Sequence, residues 1–340
     1  MNAGPCENAA GWDAYVEGHP QASNYHRWLW KRMIEETYGH RTFYLEAREK
    51  GEIRGILPLV EMKSWLWGRF LVSMPFCSYG GVLASDTVAR ETLLRKAEEI
   101  ATESGADYIE LRQGDVLTNR WQSSTAKVCM KVPLPPSPEL LFGKLSSRLR
   151  NKVRGAEKQG LQPAWGKEEL VDEFYSVFSC NMRNLGTPVY PKRWFENFLK
   201  CAGRTTQILV VRDGREPVAA TWITTYRDEV ELPWIASTPE ARGKNSTVLL
   251  YWKALEWASQ NGFRCVDLGR CTPGSGTQRF KAQWPCEEIS LPWNYWTQQG
   301  KPAPQLRPDN PRFRLAIAAW KRLPLGVANF LGPRIVRAIP

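Results

Sequence analysis

Residues 96–111, "KAEEIATESGADYIEL", and residues 253–268, "KALEWASQNGFRCVDL", align without a gap at an offset of 157. Lys96 matches Lys253, Ala97 matches Ala254, Glu99 matches Glu256, Ala101 matches Ala258, Gly105 matches Gly262 and Leu111 matches Leu268. Each copy reads as an amphipathic helix, a glycine that ends it in a left-handed turn, and a strand a few residues on. A repeat of this kind means that the chain carries a duplicated domain.

Upstream of each copy lies a strand–turn–strand pattern, "FYLEAREKGEIRGILPLV" at 43–60 and "QILVVRDGREPVAATWITT" at 207–225. Their turns are expected at Lys50-Gly51 and Asp213-Gly214. Two hairpin–helix–strand units predict an α/β (α+β) fold of two domains, each a mixed sheet flanked by helices. The expected boundaries are 1–135 for the first domain, 136–300 for the second and 301–340 for a basic amphipathic tail.

Composition sets the class. A chain of 340 residues, 43% hydrophobic and 24% charged, is a globular protein long enough for two cores. The first twenty residues lack a basic region followed by an apolar core, and no run offers the roughly 20 apolar residues a bilayer helix needs. A cytoplasmic location is expected. Eight cysteines, at 6, 77, 129, 180, 201, 265, 271 and 286, include no CxxC pair and are expected to be reduced; no metal site is expected. All three histidines lie at or before His40, so the C-terminal half has no base of its own for a Ser/His/Asp triad.

The net charge of +11 is concentrated. The tail from 301 holds +7, eight Lys and Arg against Asp309, and residues 144–158 hold +5, six cations against Glu157. Concentrated basic segments are footprints for phosphates, RNA or anionic lipid; a merely solvated face is the alternative. A helix is expected from Ser137-Pro138-Glu139, as N-cap, first-turn proline and early acid, to a stop at Gly160. Leu141, Phe142, Leu145, Leu149, Val153 and Ala156 share one arc of it, and most of the cations face away.

"DLGRCTPGSGTQRFKAQW" (267–284) follows the second repeat with a glycine-rich turn and a lysine. A P-loop is excluded, because Thr277–Phe280 separate the glycine from Lys281 and Pro285 soon interrupts a helix. A dinucleotide fingerprint is excluded as well, since it belongs at the start of a βαβ unit.

The hairpin–helix–strand order is also that of the GNAT acyltransferase fold. "KLSSRLRNKVRGAEKQGL" (144–161), "NMRNLGTPVYPKRWFENFL" (181–199) and the 267–284 segment together resemble the FemAB-type acyltransferases, most closely the FemAB-related proteins found with bacterial exopolysaccharide and PEP-CTERM export systems. The resemblance runs from about residue 10 to residue 300. It implies two tandem GNAT-like domains with one active site, carried mainly by the second domain and the interdomain cleft, moving an acyl or aminoacyl group to an amine. In the best-known members of the family the donor is an aminoacyl-tRNA and the acceptor a peptidoglycan precursor, whereas the exopolysaccharide-associated subgroup has no settled substrate; here no tightly bound cofactor is expected, and the acyl donor is either aminoacyl-tRNA or acyl-CoA.

The resemblance assigns site residues. Lys281 matches the lysine that supports the transferring carbonyl, and Gly276, Thr277 and Phe280 belong to the same substrate-facing segment. Arg183, with Tyr190 beside it, matches the acceptor-binding arginine, although "NLGTPV" departs from the pattern around that residue. "YHRWLWKR" resembles the entry helix where the family keeps a phosphate-facing lysine, with Lys31 as the candidate although it departs from the family's register. Arg150, Arg154 and Lys158 on the basic helix are donor-binding candidates.

Chemistry gives Lys281 independent sense. An amine attacking an ester or thioester carbonyl builds negative charge on oxygen, which a desolvated ammonium stabilises by about 3–4 kcal/mol; the alternative is an exposed loop lysine. Arg270 is a second cation for a phosphate or carboxylate, or else the partner of a strand salt bridge. Asp267 is the nearest candidate acid, with a structural hydrogen bond as its other role.

Two further functions stay open. A GNAT enzyme using acyl-CoA carries [QR]xxGx[GA] before its central helix so that amides hold the pyrophosphate; "EARGKNS" (240–246) stands there, with Arg242, Gly243, Lys244 and Asn245 as donor-loop residues. A catalytically silent binding protein of a polysaccharide assembly system is the third. Expected partners are a phosphate-bearing or sugar-linked amine acceptor, tRNA, and an anionic membrane touched peripherally through the tail. There Phe313, Ile317, Trp320, Leu323, Val327 and Phe330 mix with Arg312, Arg314, Lys321, Arg322, Arg334 and Arg337. Docking of the tail on the protein body is the alternative.

Overall fold

The structure is a computed structural model that describes residues 1–64, 68–117, 120–298 and 311–339. It forms two compact units. The first is Met1–Lys127 with the stretch that starts at Ser290; the second is Val128–Ile289 with the tail helices up to Val336.

The first unit contains strands β1 (Asn2–Pro5), β2 (Thr42–Glu49), β3 (Glu52–Ser64), β4 (Gly68–Val72), β5 (Leu83–Ala84) and β6 (Tyr108–Arg112), with helices α1 (Ala9–Gly18), α2 (Leu29–Tyr38) and α3 (Thr87–Ser104). Lys50 and Gly51 both have positive φ, 50° and 89°, the geometry that reverses a twisted hairpin in two residues. Asp86 caps α3 by accepting from the Ala89 amide at 2.8 Å, and Gly105 ends it at φ 67°. That stop turns the chain into β6, which runs parallel to β4. The heptad-like apolar positions of α3, Leu93, Leu94, Ala97 and Ala101, pack on Leu45, Leu57, Leu71 and Ile109 of the sheet.

The second unit repeats this plan with β7 (Gln122–Pro133), α4 (Pro138–Lys144), α5 (Ser147–Lys158), β8 (Leu161–Gly166), α6 (Val171–Leu185), α7 (Lys192–Ala202), β9 (Thr206–Asp213), β10 (Glu216–Tyr226), β11 (Glu229–Glu231), β12 (Ile235–Ser237), α8 (Ser246–Gln260), β13 (Cys265–Cys271) and α9 (Gly276–Lys281). Strand β14 (Glu287–Thr297) and helices α10 (Pro311–Trp320) and α11 (Leu325–Val336) follow. Gly262 ends α8 region at φ 77°, and β13 runs parallel to β11. Leu249, Leu250, Ala254 and Leu255 of α8 bury against Leu209, Val211, Ile223 and Val266. The two copies of the repeat therefore occupy equivalent places.

The sheet orders match strand for strand: β1-β2-β3-β4-β6-β14 in the first unit and β8-β9-β10-β11-β13-β7 in the second. This corrects the expected boundaries. Residues 128–135 belong to the second unit because β7 pairs antiparallel with β13, and residues 290–298 belong to the first because β14 pairs antiparallel with β6. Each unit takes its last strand from sequence assigned to the other, a pairing with no local signature.

Two smaller corrections concern local signals. The second hairpin turns at Gly214-Arg215, one residue later than expected, since Asp213 still pairs with Glu216. The basic helix is two helices, α4 and α5, because the Ser146 hydroxyl accepts from the Leu149 amide and starts a new one after a break at Leu145. Ser137 caps α4 and Gly160 has φ 78°, both at the expected places.

Candidate active site

A bulge in β13 organises the site. Asp267 lies opposite Lys131 and Arg270 opposite Cys129, so three steps along β13 face two along β7. The extra residue sits at Leu268-Gly269, where Gly269 takes φ 80°. Such a bulge turns backbone groups out of the ladder. Here the carbonyls of Gly269 and Arg270 both turn to one cation, the Lys281 ammonium, which donates to them at 2.8 and 3.2 Å.

Lys281 arrives from α9, a short helix started by Ser275, whose hydroxyl accepts from the Gln278 amide at 3.2 Å. Gly274, at φ 77°, makes the preceding turn, and its amide donates to the Gln278 side chain. At 4% exposure Lys281 is buried, and that burial pushes its ammonium pKa below the ordinary lysine range. The side chain is thus a desolvated cation rather than an exposed loop lysine.

Asp267, at 1% exposure, is the pin of the bulge. Its Oδ1 accepts from the Gly269 amide at 2.6 Å and from the Cys129 thiol at 2.9 Å. Its Oδ2 stands 3.9 Å from Lys131 Nζ, which also pairs with Glu229. Burial alone would lower the Lys131 pKa; Asp267 and Glu229 overcome that and raise it. Cys129, Lys131 and Glu229 carry no motif and were missed in the sequence, because what makes them neighbours of Asp267 is the pairing of β7 and β11 with β13.

The neighbouring strand leaves β13 at the bulge. β11 ends its parallel pairing with a bond from the Leu232 amide to the Asp267 carbonyl at 3.0 Å. The chain then pairs as β12 with Ala219–Thr221 of β10. A β-carbon on Gly269 would make only ordinary contacts, 3.6 Å from the Leu232 carbonyl oxygen and 3.7 Å from Lys281 Nζ, so it is the left-handed φ and not crowding that favours glycine here. Beyond β12 a 3₁₀ helix, Glu240–Lys244, leads into α8. Asn245, left-handed at φ 57°, stands at the α8 N-cap without a side-chain capping bond, which leaves the helix N-terminus suited to an anion.

The other candidates distribute unevenly. Gly276 and Thr277 are exposed at the start of α9, next to this corner. Phe280 instead packs edge-on against Tyr251 at 5.2 Å and belongs to the core, because α9 turns that face toward α8. Arg270 lies just past the bulge, partly buried, with Cys129 opposite. Lys244 is held by Asp213, Gly243 is exposed, and the Arg242 side chain lies outside the described residues.

On the basic helix, Arg150 donates to the carbonyls of Gly143 and Leu145, bracing the break between α4 and α5. Arg154 lies over the Phe142 ring at 5.3 Å while staying exposed, and Lys158 is exposed at the helix end. Arg183 and Tyr190 are elsewhere in the unit. Arg183 donates to the Leu323 carbonyl of the tail at 3.1 Å, and the Tyr190 ring stacks near Trp194 and Phe178. Lys31 belongs to the first unit and pairs with Glu35 one turn on. Thus Lys281, Asp267, Arg270, Gly276 and Thr277 gather at one corner.

A hairpin, a strand that parts from its parallel neighbour, a helix begun at that parting and a returning strand define a GNAT-like unit, and the fold carries two in tandem. Comparison with known proteins agrees. Residues 143–282 match the acetyltransferase (GNAT) domain family, which supports an acyltransferase. Among solved structures the chain is similar to FemX, with a TM-score of 0.69 at 15% identity, over 88% of this chain and 98% of that one. It is similar to L-PGS from Bacillus licheniformis, with a TM-score of 0.59 at 14% identity, over 99% and 98%. A tandem GNAT protein from the clavulanic acid biosynthesis pathway follows with a TM-score of 0.56 at 13% identity, over 89% and 99%. At these identities the likeness is one of fold. No curated protein sequence matches significantly.

Proposed function

We propose that this chain is a FemAB-type acyltransferase that moves an acyl or aminoacyl group from an activated donor to an amine, in building the bacterial cell envelope or an exopolysaccharide. It works in the cytoplasm and touches the inner face of the membrane peripherally. The observation that carries the transfer is the buried Lys281 ammonium held at the bulge where β11 and β13 part.

The amine nitrogen attacks the donor carbonyl carbon, and the carbonyl electron pair becomes an oxyanion. Lys281 stabilises that charge, worth about 3–4 kcal/mol for a well-placed donor in a water-poor site. The C–O or C–S bond then breaks, the leaving atom takes the proton released by the amine, and an amide remains. Asp267 acts through the bulge it pins, as a positioning residue. Gly276, Thr277 and Arg270 line the substrate side of the corner, whereas Arg183, bonded to the tail, takes no part in holding the acceptor there.

The leading donor is an aminoacyl-tRNA, on the strength of the exposed cations Arg148, Arg154 and Lys158 of α5. A second reading, acyl-CoA, is favoured by the uncapped α8 N-terminus after residues 240–245, a place fit for a pyrophosphate. Purified protein incubated with each donor class and a panel of amino sugars, with amide products identified by mass spectrometry, separates the two. Transfer from charged tRNA that weakens and loses salt dependence in an Arg154→Glu/Lys158→Glu variant supports the first. Transfer from acyl-CoA that ignores that variant supports the second, and product from neither donor leaves a binding protein.

A further inference from the structure

We infer that the outward face of α10 and α11 is a docking surface for a bilayer with anionic headgroups. This deepens the peripheral-membrane part of the function proposed above and rests on it. The tail is packed on the second unit by one side only. Leu323 accepts from Arg183, Asn329 donates to the Ser179 hydroxyl at 3.4 Å, and Gly332 lies so close to Val189 that a β-carbon would stand 2.9 Å from its amide nitrogen. Gly186, at φ 80°, meets Ile317 in the same way. Ile317, Trp320 and Leu323, expected from the sequence among the membrane-facing residues, are therefore drawn inward, as are Ala328 and Gly332.

The opposite side is apolar as well. Leu315 is 85% exposed, Phe330 63%, Val327 42% and Ile335 40%. Four of the nine exposed large apolar side chains among the described residues thus fall on these two short helices. Cations share the surface: Arg314, Arg322 and Arg334 are exposed, and the sequence from Pro311 on contains no Asp or Glu; Lys321, also exposed, runs its stem past Gly186 on the packed side. The Arg334 guanidinium lies 3.9 Å over the Phe330 ring, so one cation and one apolar group already act as a pair.

Large apolar groups left in water mark a partner, and their mixture with cations, free of acids, is complementary to acyl chains beneath anionic headgroups. A nucleic acid would match the cations and leave Leu315 and Phe330 unused. The helices lie on the membrane rather than cross it. At 10 and 12 residues they span about 15 and 18 Å, short of the roughly 30 Å of a bilayer core, and Pro324 stands between them.

The test is co-sedimentation of the full chain with vesicles of phosphatidylglycerol or of phosphatidylcholine, needing neither donor nor acceptor. Binding to phosphatidylglycerol vesicles at low salt and not to phosphatidylcholine is expected. Leu315→Ser with Phe330→Ser should weaken it tenfold or more, and so should Arg314→Glu with Arg322→Glu, each with an unchanged melting curve. Lys281→Met should bind vesicles as the parent chain does, so loss of transfer and loss of binding are read separately. No binding to phosphatidylglycerol at low salt overturns the inference, as does binding that survives either double substitution.

Discussion

Glu110 and Asp267 hold the same place in the two units. The Glu110 carbonyl accepts from the Ser73 amide at 2.9 Å and the Asp267 carbonyl from the Leu232 amide at 3.0 Å, in each case where a parallel pair of strands ends. The residues two places on diverge. In the first unit Arg112, at 1% exposure, donates to Glu110 at 2.7 Å and to the carbonyls of Cys77 and Met74 at 2.7 and 3.2 Å. In the second, Gly269 stands there, and a lysine from another element supplies the cation. A guanidinium two residues on serves the first unit where, in the second, a glycine bulge receives the Lys281 ammonium.

Arg112→Met should therefore act on stability. It leaves Glu110 buried without its cation, a loss of about 3–5 kcal/mol. Adding Glu110→Gln should recover part of it. Thermal melts of the single and double variants check this; a single variant as stable as the parent would show the pair to be dispensable.

Lys281→Met should lower the rate of transfer by about a hundredfold, because an oxyanion donor acts in the transition state, with little change in acceptor binding. Lys281→Arg should retain part of the rate. Steady-state kcat and KM check it. A variant that melts far lower and loses rate only in proportion to its unfolding would make Lys281 a brace for the Gly269 and Arg270 carbonyls alone.

The rate should fall as pH rises. Burial lowers the Lys281 pKa, so the working ammonium is lost at a pH below the ordinary lysine value of about 10.4. In Lys281→Arg the alkaline limb should move upward, since a guanidinium keeps its proton past pH 12 or so. A pH–rate profile for both forms decides this, and an identical limb in the two would assign it to another group.

Asp267→Asn and Asp267→Ala should part company. Asparagine still offers an oxygen to the Gly269 amide, so the bulge and most of the rate should survive. Alanine removes the acceptor, costs roughly 1.5–3 kcal/mol as a lost charged hydrogen bond, and frees the carbonyls that hold Lys281. A tenfold or greater loss in kcat for alanine, against a small one for asparagine, marks positioning; equal and complete loss in both would mark proton transfer by the carboxylate.

Much of this protein was written in its sequence by itself. The duplication, the paired hairpins, the glycine stops at Gly105 and Gly262, the serine cap at Ser137 and the segment ending in Lys281 are local or periodic signals, because φ preferences, capping and side-chain spacing act over a few residues. Tertiary structure decided the rest. That β7 and β14 complete sheets in units other than those expected, that Gly269 opens a bulge opposite Cys129 and Lys131, that Phe280 faces Tyr251, and that the tail turns Leu323 inward and Phe330 outward all depend on partners far along the chain. A side chain's chemistry is fixed by its sequence, but its burial, its charge state and its neighbours are set only when distant strands and helices meet.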